Sequence, residues 1–415
     1  VLEVEDYLKG VVPNEMPVRF GLEALKAQTV AARNYAIAPR IKAYKEFDLC
    51  DSVACQVYFG ANTEDELSDK AIFETDSIIA VDKNQNPILA LYSSTAGGYT
   101  ESYEYAFSDP ETKRFPSKEI HYLTAVADKE EFGSLETEDA AENFYMSAPE
   151  SFDDKSPYYR WSKEWTVDEL ENVLAKTLVS QSATGFVHPA LTDSANFGKL
   201  QSVNVIRRGK SGKIIKIAIN TDKETFIAEK ELVIRRCFQK NGISLPSANF
   251  VVMKIDSEVP VFKFAGGGFG HGVGLSQWGA GKMSSLGYTF DEILKHYYNG
   301  INLITMPVNI SSGGKRETFE FYTESKTGYI NINNPNGIEK LQIDINGQEM
   351  TQKLKHGENE INISKYLKNG NNMISYLIED ETRDYTKKIT AFIRLYDTGK
   401  ETENNTGNGI TIFDF

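Results

Sequence analysis

The clearest periodic signal near the start is helical. Leu22, Leu25, Thr29, Ala32 and Ala36 fall on one face, and alanine also fills 24, 27, 31 and 38. That spacing predicts a helix over Leu22–Ile37, read as a central buried element that neighbours approach closely. Pro39 closes it. Residues 78–92 predict two strands around a polar turn holding Asn84, Asn86 and Pro87. Val167, Leu170, Val173, Leu174 and Leu178 predict an amphipathic helix over 166–178. Thr166 stands three before Glu169, a capping-box pattern. Residues 200–227 read as strands, 229–238 as a helix, 250–264 as one or two strands, and 289–298 as a helix with a Thr–Asp/Glu start. Residues 104–160 carry few periodic signals and predict loops and short helices.

Beyond Pro307 and Ser311-Ser312-Gly313-Gly314 the helix signals vanish. ETFEFYTE, TGYININ, LQIDING, NEINIS, MISYLIED and KITAFIRLYD alternate apolar and polar residues between Asn/Gly turns. This predicts an all-β sandwich of six or seven strands. The fold class expected is therefore an α+β domain, mixed helices and sheets around the Ala-rich helix, followed by a small all-β sandwich. The expected boundaries are 1–306 for the first domain, 307–316 for a linker, 317–397 for an Ig/fibronectin-like sandwich and 398–415 for a polar tail.

Composition narrows the class. With 40% hydrophobic and 25% charged residues over 415 positions, the chain is an ordinary globular mixture rather than a disordered or fibrous one. No run approaches the roughly 18 apolar residues of a membrane span. Acids outnumber bases 59 to 45, and a net charge of −14 disfavours non-specific nucleic-acid binding. Residue 1 is Val and a helix-like motif follows at once, so a processed N-terminus is expected, compatible with a removed signal or anchor.

Four places could hold chemistry. Val11-Val12-Pro13-Asn14-Glu15-Met16-Pro17 sets one carboxylate among apolar residues between two prolines, which should hold the neighbours of Asn14 and Met16 extended. A carboxylate on a stiff apolar loop is partly dehydrated, its pKa rises, and it can deliver a proton near neutral pH. The plain alternative is a solvated loop glutamate. Residues 266–274 have glycine at six of nine positions, yet fit neither phosphate-binding glycine template. Glycine there lets backbone approach a ligand or a strand. His271 within the loop is either a polar contact or a structural tie. Cys50 and Cys55 offer half a zinc site, a small disulfide loop, or two reduced thiols. Cys237, after Arg235-Arg236, is an activated thiol or a packed core residue.

Taken together, five stretches in order carry a resemblance: YLKGVVPNEMPVRFGLEALKAQTVAARNYA (7–36), CDSVACQVYFG (50–60), YSSTAGGYTESYE (92–104), SPYYRWSKEWTVDELENVL (156–174) and GGGFGHGVGLSQWGAGKMSSLGYTFDEILKHYYNGINL (266–303). The chain resembles the SpoIID/LytB family of bacterial cell-wall proteins over about residues 1–306. The resemblance implies a peptidoglycan lytic transglycosylase that cuts glycan strands stripped of stem peptides and leaves 1,6-anhydro ends. It implies Glu15, in the family's V-V-P-x-E-M-P motif, as the catalytic acid/base. LytB-type relatives imply the alternative, a wall-binding protein that enhances a partner N-acetylmuramoyl-L-alanine amidase. Motif membership makes Ser93, Ser94, Thr95, Tyr99, Thr100, His271, Ser276, Gln277 and Trp278 candidate sugar contacts. Some relatives bind zinc around the stretch matching 44–55, but Tyr44 and Ala54 stand where histidines would be needed. The expectation is no metal, no cofactor, a Cys50–Cys55 disulfide, and an extracellular or cell-envelope location. Ala96 and Tyr99 also depart from the residues relatives often carry, which bears on substrate preference.

Overall fold

The computed structural model describes residues 2–38, 49–51, 55–306, 308–311, 316–323, 325–379 and 387–396. The polar tail at 398–415, Pro39, Tyr44 and Ala54 lie outside these. The chain is mixed α and β with several antiparallel sheets, and it divides into two compact units. The first joins 1–90 to 300–415, and the second is 91–299.

In the first unit the Ala-rich helix spans Leu22–Ile37, as its periodicity predicts, and residues 24–34 are all buried. Two cations go inside with it, and each is matched. Lys26 lies 2.9 Å from Glu23 and 2.7 Å from Glu74. Arg33 donates through Nε and Nη2 to Glu5 at 2.7 and 2.5 Å, and through Nη1 to the Ile78 carbonyl at 2.9 Å. Asn34 donates to the carbonyls of Ala80 and Ile88 and accepts from the Ala80 N–H. That amide inserts where the Ala80 N–H would otherwise meet the Ile88 carbonyl. The expected strand pair is therefore held only around the Val81–Pro87 bridge, by the Ile88 N–H to the Ala80 carbonyl at 3.0 Å and the Asp82 N–H to the Asn86 carbonyl at 2.9 Å, and Ile78–Val81 is its regular part.

Ile78–Val81 pairs antiparallel with Asn302–Thr305, and Ile304 continues onto Arg394 of the strand Lys388–Tyr396. That last strand also pairs with Val308–Ser311, inside the expected linker, and with Thr327–Asn334, which pairs in turn with Gly357–Asn362. A second sheet runs Glu317–Thr323, Gly370–Glu379, Lys340–Ile345, Gln348–Lys353. Ile330, Ile332, Ile343, Ile374 and Ile389 share one buried cluster, so the two sheets meet face to face. The alternation read from TGYININN reappears as strict alternation of burial.

In the second unit, strands Trp161–Thr166, Val261–Gly266 and Phe250–Ile255 form one antiparallel sheet. Val187–His188, Thr225–Glu229, Ile214–Thr221 and Leu200–Arg208 form another. Helix Val167–Ser182 packs Leu170, Leu174 and Leu178 into their common core with Trp165, Ile217 and Phe264. The helix expected over 229–238 starts later, at Glu231, because Glu229 still pairs with Lys216 and Lys230 takes φ +75°. The expected capping box of Thr166 with Glu169 forms, and the Thr–Asp/Glu start at 289 is a second one, Thr289 with Glu292. Thr289→Ala should therefore lower the stability of the second unit by about 1 kcal/mol. Urea unfolding followed by tryptophan fluorescence reads this directly, since Trp161, Trp165 and Trp278 all lie in 91–299. An unchanged midpoint would remove the cap from the stability of this unit.

No helix among the described residues is long and apolar enough to cross a membrane.

Candidate functional site

In the first unit, Glu15 is the last residue of a single helical turn, Val12–Glu15, rather than part of the extended loop the flanking prolines suggest. Pro13 sits in the first turn, where its missing N–H breaks no bond and its fixed φ suits a helix. Extended backbone resumes only at Met16, φ −127° and ψ 127°. Leu8, Val11, Val12 and Met16 are fully buried beneath it, so the turn is anchored by apolar packing. Asn14 donates to the Gly10 carbonyl at 2.8 Å and to Thr63 Oγ1 at 2.7 Å.

The carboxyl of Glu15 is partly buried. Its Oε1 accepts the Val57 N–H at 2.7 Å. Two phenols surround it. Burial first, then the nearby Cys55 and Glu15, push Tyr35 up to about 12 and Tyr7 higher still. Both therefore stay protonated donors near neutral pH. The two cysteines of the expected disulfide are adjacent in space without that bond between them, and the Cys50 N–H donates to Cys55 Sγ at 3.1 Å. One carboxyl group, two protonated phenols and two sulfur atoms thus share one neighbourhood. Tyr7, Tyr35 and Gln56 were not singled out from sequence. The local signal available was their position inside the two stretches that hold Glu15 and Cys55.

The other expected contacts lie in the second unit. Tyr92–Ser93 runs parallel to Leu275–Ser276. Thr95 and Phe269 exchange backbone bonds at 3.2 and 2.8 Å. The Ser/Thr/Gly stretch and the glycine-rich stretch are thereby one structure. Glycine serves close approach of chain to chain. Gly97 has φ +84°, and a Cβ there would meet Gly267 backbone at 2.8 Å; Gly274 has φ +71°, and a Cβ would sit 2.1 Å from the Leu91 carbonyl oxygen.

Most of these side chains face inward. Ser276 Oγ accepts the Ala96 N–H at 3.2 Å and caps the helix Gln277–Ser285. Thr95 Oγ1 lies 2.7 Å from Ser156 Oγ. Thr100 Oγ1 accepts the Val126 N–H at 2.9 Å. Tyr99 packs with Phe144 and Tyr145, and Ser93 and Gln277 are also buried. Ser94 and Trp278 keep partial exposure, joined by a Trp278 N–H bond to the Ser94 carbonyl. His271 Nδ1 accepts the Val273 N–H at 3.1 Å. Burial, then the charges of Lys213 and Arg235, push its pKa down to about 3. It is a neutral tie in the loop. Cys237 is enclosed in the core, and burial pushes its thiol up to about 12, so it is packed rather than activated.

Two buried acids under these loops carry no local sequence signal as a pair. Asp153 Oδ2 accepts the Gly97 N–H at 2.7 Å, and Ser151 Oγ lies 2.6 Å from Asp128 and 3.3 Å from Asp153. Burial, then Asp128, raises Asp153 well above the usual carboxylate range. Glu101 is fully buried as well. It accepts the Ser102 N–H, the Ser211 N–H and the Ser211 hydroxyl, with burial the dominant upward influence on its pKa.

A raised native pKa means that the folded state holds the Asp153 proton more tightly than the unfolded chain does. That contribution to stability is complete below the ordinary carboxylate range and fades as pH rises from about 4 toward neutrality. Asp153→Asn, which keeps an acceptor for Gly97, should flatten the stability–pH curve of the second unit over that window. Parallel curves for the two proteins would refute the assignment.

Comparison with known proteins gives a consistent picture. A family model described as stage II sporulation protein matches residues 1–81, and a model described as a domain of unknown function matches 110–274. An uncharacterised protein of Brachyspira hyodysenteriae (strain ATCC 49526 / WA1) is 30% identical over 305 residues, covering 73% of this chain and 67% of the relative. A Bacillus subtilis (strain 168) protein named amidase enhancer is 31% identical over 316 residues, covering 71% of this chain and 40% of the relative. Stage II sporulation protein D of the same organism is 29% identical over 318 residues, covering 73% and 74%.

Proposed function

Because the chain belongs to the SpoIID/LytB family, we propose that it is a peptidoglycan lytic transglycosylase with Glu15 as its single acid/base. The observation that carries this is the mounting of Glu15. One carboxyl group stands on a turn rooted in buried Val11, Val12 and Met16, with one oxygen fixed by a backbone N–H. Glu15 protonates the glycosidic oxygen between N-acetylmuramic acid and N-acetylglucosamine as that bond breaks. The muramyl C6 hydroxyl attacks the anomeric carbon, and Glu15 takes the hydroxyl proton back. The product is a 1,6-anhydro end. Glycosidases that use water need two carboxylates; an internal sugar hydroxyl makes the second unnecessary.

The preferred substrate in this reading is the peptide-stripped strand. Ser94, His271 and Trp278 are the candidate sugar contacts with exposed surface. The other six support the loops. Cys50 and Cys55 close a disulfide in an oxidising envelope, and residues 317–397 serve as a spacer or docking module on the wall. The test is incubation of the full chain with purified glycan strands, with and without stem peptides, followed by mass spectrometry of the new ends. Anhydro ends support the reading, and ends carrying an added water would make the protein a muramidase.

The relative named amidase enhancer favours a second reading. Here the protein binds the wall without cutting it and stimulates a partner amidase. Intact glycan strands together with faster amidase turnover on adding this chain would select it.

A further inference from the structure

Gln56 is 3% exposed, and both ends of its amide are engaged. Nε2 donates to the Ala32 carbonyl at 3.3 Å, on the helix Leu22–Ile37, and Oε1 accepts the Tyr7 hydroxyl at 3.1 Å. A buried amide bonded at both ends has one orientation, because flipping it would set its oxygen against the Ala32 carbonyl oxygen, acceptor against acceptor. The next residue in the chain supplies the N–H that holds Glu15 Oε1. Tyr58 then stacks on Tyr7, ring centres 5.3 Å apart at 19°, and the Phe59 N–H donates to the Gly10 carbonyl at 3.2 Å. Gly10 leaves room for this. A Cβ there would lie 2.5 Å from the Tyr58 ring. The segment 56–59 is therefore pinned to the helix that follows Glu15 and to the residues that precede it.

Accepting the reading of Glu15 as acid/base, we propose that Tyr7 and Gln56 are its positioning residues, fixing the Val57 N–H that orients the Glu15 carboxyl group. The bond has a chemical consequence. A carboxyl oxygen that accepts an N–H is the poorer place for a proton, so the proton to be delivered sits on Oε2. The same bond favours the ionised form, which sets where the carboxyl titrates.

Tyr7→Phe in the full chain is the discriminating variant. It keeps the ring and its stack on Tyr58 and removes only the hydroxyl. Gln56→Leu, of similar volume, is the second. The readouts are carbon-13 NMR titration of the Glu15 carboxyl and kinetics on peptide-stripped glycan strands. For both variants the titration midpoint should move upward by roughly half to one pH unit. The kcat should fall roughly tenfold with KM nearly unchanged, and the basic limb of the rate profile should move up with the midpoint. Titration curves superimposable on the wild type would overturn the proposal, even if kcat or thermal stability fell. The titration is independent of turnover. A midpoint moved in the variants, with a wild type that cuts nothing, would keep the positioning role and remove only the enzyme reading.

Discussion

Glu15→Gln should abolish cleavage of glycan strands, lowering kcat by about 10³-fold or more, at the upper range for loss of a general acid. Glutamine keeps the length of the side chain and an oxygen for the Val57 N–H, which donates at 2.7 Å. It removes only the transferable proton. Binding to insoluble wall should survive, so pelleting with wall fragments is the control that the fold is intact. A variant that retained more than about a tenth of the wild-type rate would sink the single-carboxyl mechanism, because general acid catalysis contributes at least about 10²-fold. An equal loss of binding and cutting would place Glu15 in recognition instead.

The second large effect concerns stability. Arg33→Ala should destabilise the first unit by about 3–5 kcal/mol, the cost of breaking a buried ion pair from one side. The guanidinium is fully buried, and Glu5 keeps only 26% side-chain exposure. Removal strands that carboxylate and leaves the Ile78 carbonyl without its 2.9 Å donor. Tryptophan fluorescence would miss this, since no tryptophan lies in the first unit. Hydrogen exchange along Leu22–Ile37 and Ile78–Val81 is the suitable probe. Protection should fall by at least about a hundredfold, since roughly 1.4 kcal/mol is a factor of ten. Unchanged protection would mean that the apolar packing of the helix suffices without the ion pair.

What the sequence revealed divides by range. Helix Leu22–Ile37 was legible to the residue, because periodicity, alanine content and an adjacent proline agree. The capping box at Thr166 was legible because its two partners stand three apart. The alternation in residues 317–396 was legible for the same reason, as neighbours along a strand face opposite ways. What escaped was assembled at long range. Nothing near Asp153 announces that it accepts the Gly97 N–H, 56 positions away. Nothing in Glu101 announces Ser211, 110 positions away. Tyr7 and Gln56 are 49 apart. The resemblance picked out Glu15 and the loops, but membership in a motif says little about direction. Ser276, Thr95 and Tyr99 belong to the glycine and Ser/Thr stretches, yet their side chains are spent inside the fold, on the Ala96 N–H, on Ser156 and against Phe144 and Tyr145.

The pairing of Ile78–Val81 with Asn302–Thr305 also has a meaning in time. The two strands are separated by about 220 residues, and translation at roughly 5–20 residues per second delivers the second some ten to forty-five seconds after the first. During that interval a four-residue apolar strand has one uncovered edge, the kind of edge that recruits foreign strands. Asn34 and Arg33 do not cover that edge, because they engage the Ala80 N–H and carbonyl and the Ile78 carbonyl on the opposite side of the strand. The waiting edge is the one that Ile79 and Val81 present to Asn302–Thr305. A chain arrested before residue 302 would keep it open, and its tendency to aggregate, more than any loss of native stability, would record the wait.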